Sequence, residues 1–239
     1  MFLSVVMPVY NEETSIESVV LAHIKFLEKL GPRLSRWEVV CVDDASRDRS
    51  FEVLSALSRR EPRVRAVRNP VNLGIYGAFN RCYQEAHGDY LYYTGSDGQW
   101  PPENIDLLLK RLDAGADLVC GVRTNLHEVY TVPRRIVSFC FNQLPHLLFG
   151  IDVQDAGSVK LGLVGLFRLD LVSKSPFFEA ERIIKAKQSG YRVAFVPIKF
   201  LPRIGGKAGG NSFKNIRDSV QDMFRCLRVY GFRKSAGRD

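Results

Sequence analysis

An α/β fold is predicted by this sequence: a doubly wound, mostly parallel sheet with helices on both faces and a helical elaboration near the C-terminal end. Three observations carry that prediction. Short apolar runs alternate with helix-length amphipathic segments through the first half of the chain, the pattern of repeated βαβ units. Several of these runs end in polar loops, where open parallel sheets bind ligands. With 239 residues, 46% of them apolar, the chain can bury a sizeable core.

Taken in order, Leu3–Met7 is a first strand stopped by Pro8. No basic segment precedes this short run, so it reads as a strand and not as a signal peptide. Thr14 or Ser15 opens a helix that runs to Gly31-Pro32. Trp37–Val42 is a second strand ending in Asp43-Asp44, Ser50–Arg60 a helix, and Val64–Val67 a third strand. Asn69–Gly74 is a turn-rich loop and Ile75–Ala86 a helix. Tyr90–Tyr93 is a fourth strand; Pro101-Pro102 then open a helix over Glu103–Leu112, because proline suits a first helical turn. Asp117–Val122 is a fifth strand, and the crossovers should be right-handed. Beyond Arg123 the spacing predicts a helix over Arg134–Gly150, a short strand over Gly162–Arg168, a helix over Glu179–Ser189 and a strand over Tyr191–Val196. A glycine- and lysine-rich loop, Arg203–Asn211, precedes a helix over Phe213–Tyr230 with residues 213, 216, 220, 223, 224 and 227 on one apolar face.

Charge and composition narrow the partners. Ten Lys/Arg and three acids between Lys199 and Asp239 carry most of the net charge of +8. Such a tail suits phosphates or anionic lipid. Its aromatics follow helical spacing and do not form a stacking platform, which argues against nucleic acid. The longest charge-free stretch, Ile136–Ile151, has 16 residues, short of the roughly 20 that a membrane span needs. It packs on the core or lies on a bilayer surface. Five scattered cysteines (41, 82, 120, 140, 226) read as buried free thiols of a reducing compartment. The four histidines show no ligand or triad spacing, and no Cys/His cluster suggests zinc.

Three polar loops follow strands one, two and four: Pro8–Glu13, Asp43–Ser46 and Gly95–Gln99. In a doubly wound sheet they converge on one crevice. Aromatic rings beside carboxylates suit a nucleotide. There is no GxGxxG after the first strand and no GxxxxGK[ST] anywhere, which argues against dinucleotide and P-loop sites. Singly, each residue has an ordinary role: Asp43, Asp44 or Asp48 as a helix cap, Tyr10 as a cover for the sheet edge, Asp97 as a turn residue.

The ordered segments VVMPVYNEE, VVCVDDASRDRS, RNPVNLGIYGAFN and GDYLYYTGSDGQWPPE resemble the family-2 inverting glycosyltransferases of GT-A fold. Asp155, FFEAERIIKAKQSGYRVAFVPIKF and LPRIGGKAG look most like the polyprenyl-phosphate sugar transferases, the group that contains dolichol-phosphate mannose synthase. The resemblance covers roughly residues 3–210. It implies a GT-A domain over 1–212, with a nucleotide-binding half to about 122 and an acceptor half over 123–212, followed by a basic amphipathic helix and tail over 213–239. Pro8, Tyr10, Glu12 and Gly74 would line the nucleotide pocket, and Asp44 would bind the base edge with Asp43 beside it. Asp97 and Gln99 would face a Mg²⁺ or Mn²⁺ ion and the diphosphate. Asp155 and Glu181 would lie near the acceptor and the transferred sugar, and either is a candidate base for a hydroxyl acceptor. Arg203 and Lys207 would close over phosphates, and Arg123, Arg134 or Arg135 would hold an acceptor phosphate. Implied partners are a nucleotide-sugar donor, a lipid-phosphate acceptor and the cytoplasmic face of a membrane, bound peripherally. Where the family has Asp-x-Asp, this chain has Gly95-Ser96-Asp97, one carboxylate short. On this reading Asp97→Ala abolishes transfer and Gly95→Asp strengthens metal binding.

Overall fold

The computed structural model describes residues 1–125, 143–205 and 213–231. Its elements are β1 (Phe2–Val9), α1 (Ile16–Lys29), β2 (Arg36–Asp43), α2 (Ser50–Arg60), β3 (Val64–Arg68), α3 (Gly74–Glu85), β4 (Tyr90–Tyr93) and α4 (Asn104–Asp113), then β5 (Leu118–Arg123), β6 (Lys160–Leu163), α5 (Val164–Phe167), α6 (Phe178–Gln188), β7 (Val193–Ile198) and α7 (Phe213–Tyr230). The seven strands form one sheet in the order β3-β2-β1-β4-β6-β5-β7. Every pairing is parallel except those of β6 with β4 and β5. The carboxyl ends of the six parallel strands therefore share one edge, and β6 starts at that edge with Lys160 opposite Tyr93.

Alternation along the strands divides the core between two faces. Leu3, Val5, Met7, Val39 and Tyr92 pack with α1, α2 and α4. Val6, Val40, Leu91, Tyr93 and Cys120 pack with α3, α5, α6 and α7. The four cysteines of the described residues are buried free thiols; Cys140 lies outside them.

The structure moves some boundaries. β1 runs past Pro8 to Val9, because β4 pairs only with Leu3–Val6 and leaves no ladder bond on that side for Pro8 to lose. The strand expected over Gly162–Arg168 is β6 to Leu163, followed by the single helical turn α5, because the chain reverses at the amino edge. There the Val164 amide donates to the Asp89 carbonyl at 2.9 Å. Of the helix expected over Arg134–Gly150, residues 143–149 are helical and 134–142 lie outside the described residues. Among the described residues no helix is long and apolar enough to cross a membrane.

Candidate active site

The order of the sheet reverses between β1 and β4, and the crevice at such a switch point is where doubly wound sheets bind ligands. The loops after β1 and β2 are laced together there. The amide of Asp44 donates to the Val9 carbonyl at 2.8 Å, Asn11 to Ser46 Oγ at 3.0 Å and Glu12 to Ser50 Oγ at 2.8 Å. Asn11 and Ala45 adopt positive φ, 55° and 57°, as these sharp turns require. Tyr10 is left 43% exposed at the rim. The loop after β4 is tied to the same frame: Ser96 Oγ donates to the Pro8 carbonyl, and Ser15 Oγ to the Ser96 carbonyl, both at 3.0 Å.

The two aspartates that end β2 have different surroundings. Asp44 accepts on both oxygens. Its Oδ1 accepts from Asn69 Nδ2 at 2.8 Å and the Leu73 amide at 2.9 Å, and its Oδ2 accepts from the Gly74 amide at 3.0 Å. It satisfies amides at the start of α3, with Gly74 as one of the donors, so at least part of its capacity serves the fold. Asp43 is buried, with Oδ2 accepting from the Ser46 amide at 3.2 Å and lying 3.3 Å from Arg68 Nε. Its Oδ1 is buried with no hydrogen-bond partner. Leaving a buried carboxylate oxygen unpaired carries a desolvation cost that a donor would offset. Of the three aspartates considered for the start of α2, Asp48 is the one that accepts from the Ser50 amide there, at 3.0 Å, while Arg49 is the N-cap residue.

Arg203 reaches the centre of the crevice. Its guanidinium donates to Glu12 Oε1 at 2.6 Å and stands 2.9 Å from Asp97 Oδ2. Ser15 Oγ holds Glu12 Oε2 at 2.9 Å. Burial raises the Glu12 carboxyl above its usual range, against the opposing pull of Ser15 and Arg203. The segment that brings Arg203 in is strapped along the β4 loop. Leu201 N donates to the Gln99 carbonyl at 2.9 Å, Ile204 N to the Asp97 carbonyl at 3.0 Å, and Gln99 Nε2 back to the Leu201 carbonyl at 3.2 Å. Phe200 packs on Trp100, ring centroids 4.6 Å apart. Gly98 has φ 75°, and a methyl group there would overlap the Ile204 side chain, so only glycine lets the strap lie this close.

The residues expected on the acceptor side divide. Asp155 stands at the same edge, but both its oxygens are engaged by Arg123, through the backbone amide and Nε at 2.8 Å each and through the terminal guanidinium nitrogen. The Arg123 guanidinium lies over the rings of Phe200 and Trp100, 5.1 and 5.6 Å from their centroids. Glu181 is corrected outright. It is fully buried on the face of α6 toward α7, accepting from the amides of Val172 and Ser173 and from Tyr230 Oη, and it is a structural anchor. Lys207, Arg134 and Arg135 lie outside the described residues. Lys160, Glu179, Arg182, Tyr83 and Tyr93 form a buried group whose signal in the sequence is a lone lysine inside the apolar run Val159–Leu161.

Among the described residues no cluster of three or more His, Cys, Asp or Glu stands ready to hold a metal. Mg²⁺ and Mn²⁺ bind through one or two carboxylates together with substrate phosphates and water. Asp97 fits that donor set once Arg203 leaves its Oδ2, whereas Gln99 directs its amide nitrogen to the strap.

Residues 4–151 match Glycosyl transferase family 2. Among curated proteins the chain is similar to the undecaprenyl-phosphate 4-deoxy-4-formamido-L-arabinose transferase of Edwardsiella ictaluri, 30% identical over 95% of this chain and 68% of that one. The same enzyme of Pectobacterium atrosepticum is 35% identical over 65% of this chain and 46% of its own length. Glycosyltransferase AglD of Haloferax volcanii is 28% identical over 95% of this chain and 37% of its own. The chain thus spans less than half the length of two of these relatives. Glucosyl-3-phosphoglycerate synthase of Mycobacterium tuberculosis, solved with phosphoglyceric acid, superposes with a TM-score of 0.72 at 19% identity, over 98% of this chain and 81% of that one. Another structure of that synthase, with Mn²⁺, UDP-glucose and phosphoglyceric acid, gives 0.71 at 19% identity, with the same coverage. The GT-A architecture expected from the sequence is the fold observed. By the extent of the match and the ordered strand-end loops, the chain belongs to glycosyl transferase family 2.

Proposed function

We propose that this chain transfers the sugar of a UDP- or GDP-sugar to a polyprenyl phosphate, with inversion. An acceptor phosphate oxygen forms the new bond to the anomeric carbon, and the bond from that carbon to the donor diphosphate breaks. The nucleoside diphosphate leaves with the electron pair. Tyr10 and Asp43 Oδ1 would receive the base, and Glu12 and Asp97 would hold Arg203 until the diphosphate draws it across. Arg203 then meets the negative charge that develops on the leaving group. A bound Mg²⁺ or Mn²⁺ on Asp97 and the diphosphate would supply further charge neutralisation there.

One observation carries the choice of acceptor. Both carboxylates read as candidate bases are engaged, Asp155 by Arg123 and Glu181 in the α6–α7 anchor. A hydroxyl acceptor needs a base, whereas a phosphate arrives already ionised. Arg123, paired with Asp155 beside Trp100 and Phe200 at the site edge, would meet such a phosphate by exchanging the Asp155 carboxylate for it. The relatives named for undecaprenyl-phosphate transfer support the lipid form of that acceptor.

The second reading is a small phosphorylated acceptor, supported by the phosphoglyceric acid bound in the mycobacterial synthase. Helix α7 favours the lipid. Its outer face exposes Lys214, Arg217, Arg225 and Arg228 beside Phe224 and Val229, which suits peripheral binding to an anionic cytoplasmic leaflet. The test measures nucleotide release from UDP- and GDP-sugars, with and without Mn²⁺, against undecaprenyl phosphate in vesicles and against 3-phosphoglycerate. Faster turnover of the soluble acceptor removes the lipid reading. No release with any donor and acceptor removes transfer itself and leaves a sugar-nucleotide-binding module.

A further inference from the structure

Lys160 is fully buried at the start of β6, opposite the last residue of β4. Its sequence neighbours Val159 and Leu161 are apolar and equally buried, and an unpaired ammonium at this place would be heavily penalised. The charge is met by Glu179, whose Oε2 lies 2.9 Å from Lys160 Nζ. Tyr83 Oη donates to Glu179 Oε1 at 2.9 Å, and Arg182 Nε stands 3.7 Å from the same oxygen. Burial pushes the Glu179 carboxyl up, but the charges of Lys160 and Arg182 outweigh it and hold the group below the usual carboxylate range. Glu179 is therefore ionised at neutral pH.

A buried ion pair stabilises a fold poorly compared with apolar packing of the same volume, so its contacts are the place to look for a role. Nζ donates its three hydrogens to Tyr93 Oη and to the carbonyls of Ala156 and Ser158, and Glu179 balances its charge. The two carbonyls belong to the turn that begins at Asp155, a non-glycine residue at φ 46°. Such a conformation persists where the surroundings hold it. Lys160 grips one end of this turn, and the Asp155 carboxylate receives Arg123 at the other. We propose that Lys160, neutralised by Glu179, is a positioning residue that fixes the Asp155–Ser158 turn and thereby orients the Arg123 guanidinium at the acceptor side of the site. The functional half of this inference rests on the reading of Arg123 as the acceptor-phosphate contact.

The test uses the double variant Lys160→Met/Glu179→Gln, which removes both charges with little change in volume. Amide hydrogen exchange at residues 155–158 and at Arg123 is expected to quicken about tenfold, while the KM for undecaprenyl phosphate rises about tenfold and the affinity for UDP is unchanged. Unchanged exchange in the folded double variant overturns the proposal whatever the activity. Faster exchange with an unchanged KM upholds the hold on the turn and refutes the acceptor role of Arg123. If the double variant does not fold, Lys160→Met alone is read by the same exchange measurement, and unchanged exchange at residues 155–158 overturns the proposal.

Discussion

Adjacent residues of like chemistry have unlike duties at the end of β2. Asp43→Asn should weaken UDP or GDP binding about tenfold, by removing the charge from a buried oxygen that a ligand N–H would meet, as titration calorimetry would read. Asp44→Ala should instead lower stability by roughly 1–2 kcal/mol, because two amides at the start of α3 and the Asn69 side chain lose their acceptor. The reverse pattern would assign the base-reading role to Asp44. At the centre of the site Arg203 and a divalent ion compete for Asp97. Arg203→Gln should therefore bind Mn²⁺ several-fold more tightly without nucleotide, by electron paramagnetic resonance, while transfer slows. Equal Mn²⁺ affinity in the two proteins would refute the competition. Gly95→Asp meets a constraint that the sequence does not show. A Cβ there would lie 3.1 Å from Asp97 Oδ1 and 3.2 Å from Trp100 Cδ1, so an added carboxylate must displace its neighbours before it can serve a metal.

Among elements, the strap over residues 199–205 decides where the cation stands. Its three hydrogen bonds to the β4 loop and the Phe200–Trp100 contact place Arg203 on Asp97 without help from a regular strand or helix. Gly98→Ala should loosen it, because a methyl group overlaps Ile204 and φ 75° is strained for alanine. The expected outcome is about 1–3 kcal/mol of lost stability together with increased proteolysis within residues 199–205. Wild-type resistance to the protease would refute it. α6 shows the same dependence on packing. Glu179 and Glu181 are two residues apart and so point about 200° apart around the helix, Glu179 to Lys160 under the sheet edge and Glu181 to Tyr230 of α7.

For the molecule as a whole, pH offers a test of the core. His23 on α1 is fully buried. Burial lowers its pKa from 6.5 to about 4, and its Nε2 has no hydrogen-bond partner. Between those values the unfolded chain binds a proton that the folded chain refuses, so stability falls as the pH drops through that window. The loss amounts to roughly 3 kcal/mol. His23→Leu should flatten the acid limb of a Tm-against-pH curve over that interval, and an unchanged limb would show that another group controls it. The sequence by itself determined the alternating elements, the polar loops after β1, β2 and β4, and the crevice where Asp97 and Glu12 meet. Those follow from local hydrophobic period, turn chemistry and the topology that period imposes. It left open which aspartate keeps an unpaired oxygen, that Glu181 is an anchor, that Arg203 sits on Asp97 and that Lys160 is buried under the site. Each of these depends on contacts between segments far apart in the chain, such as Lys160 with Tyr93 and Arg203 with Glu12. A charged residue reads alike in sequence whether it faces water or a buried partner. Only the packed structure fixes its desolvation and its neighbours, and so its role.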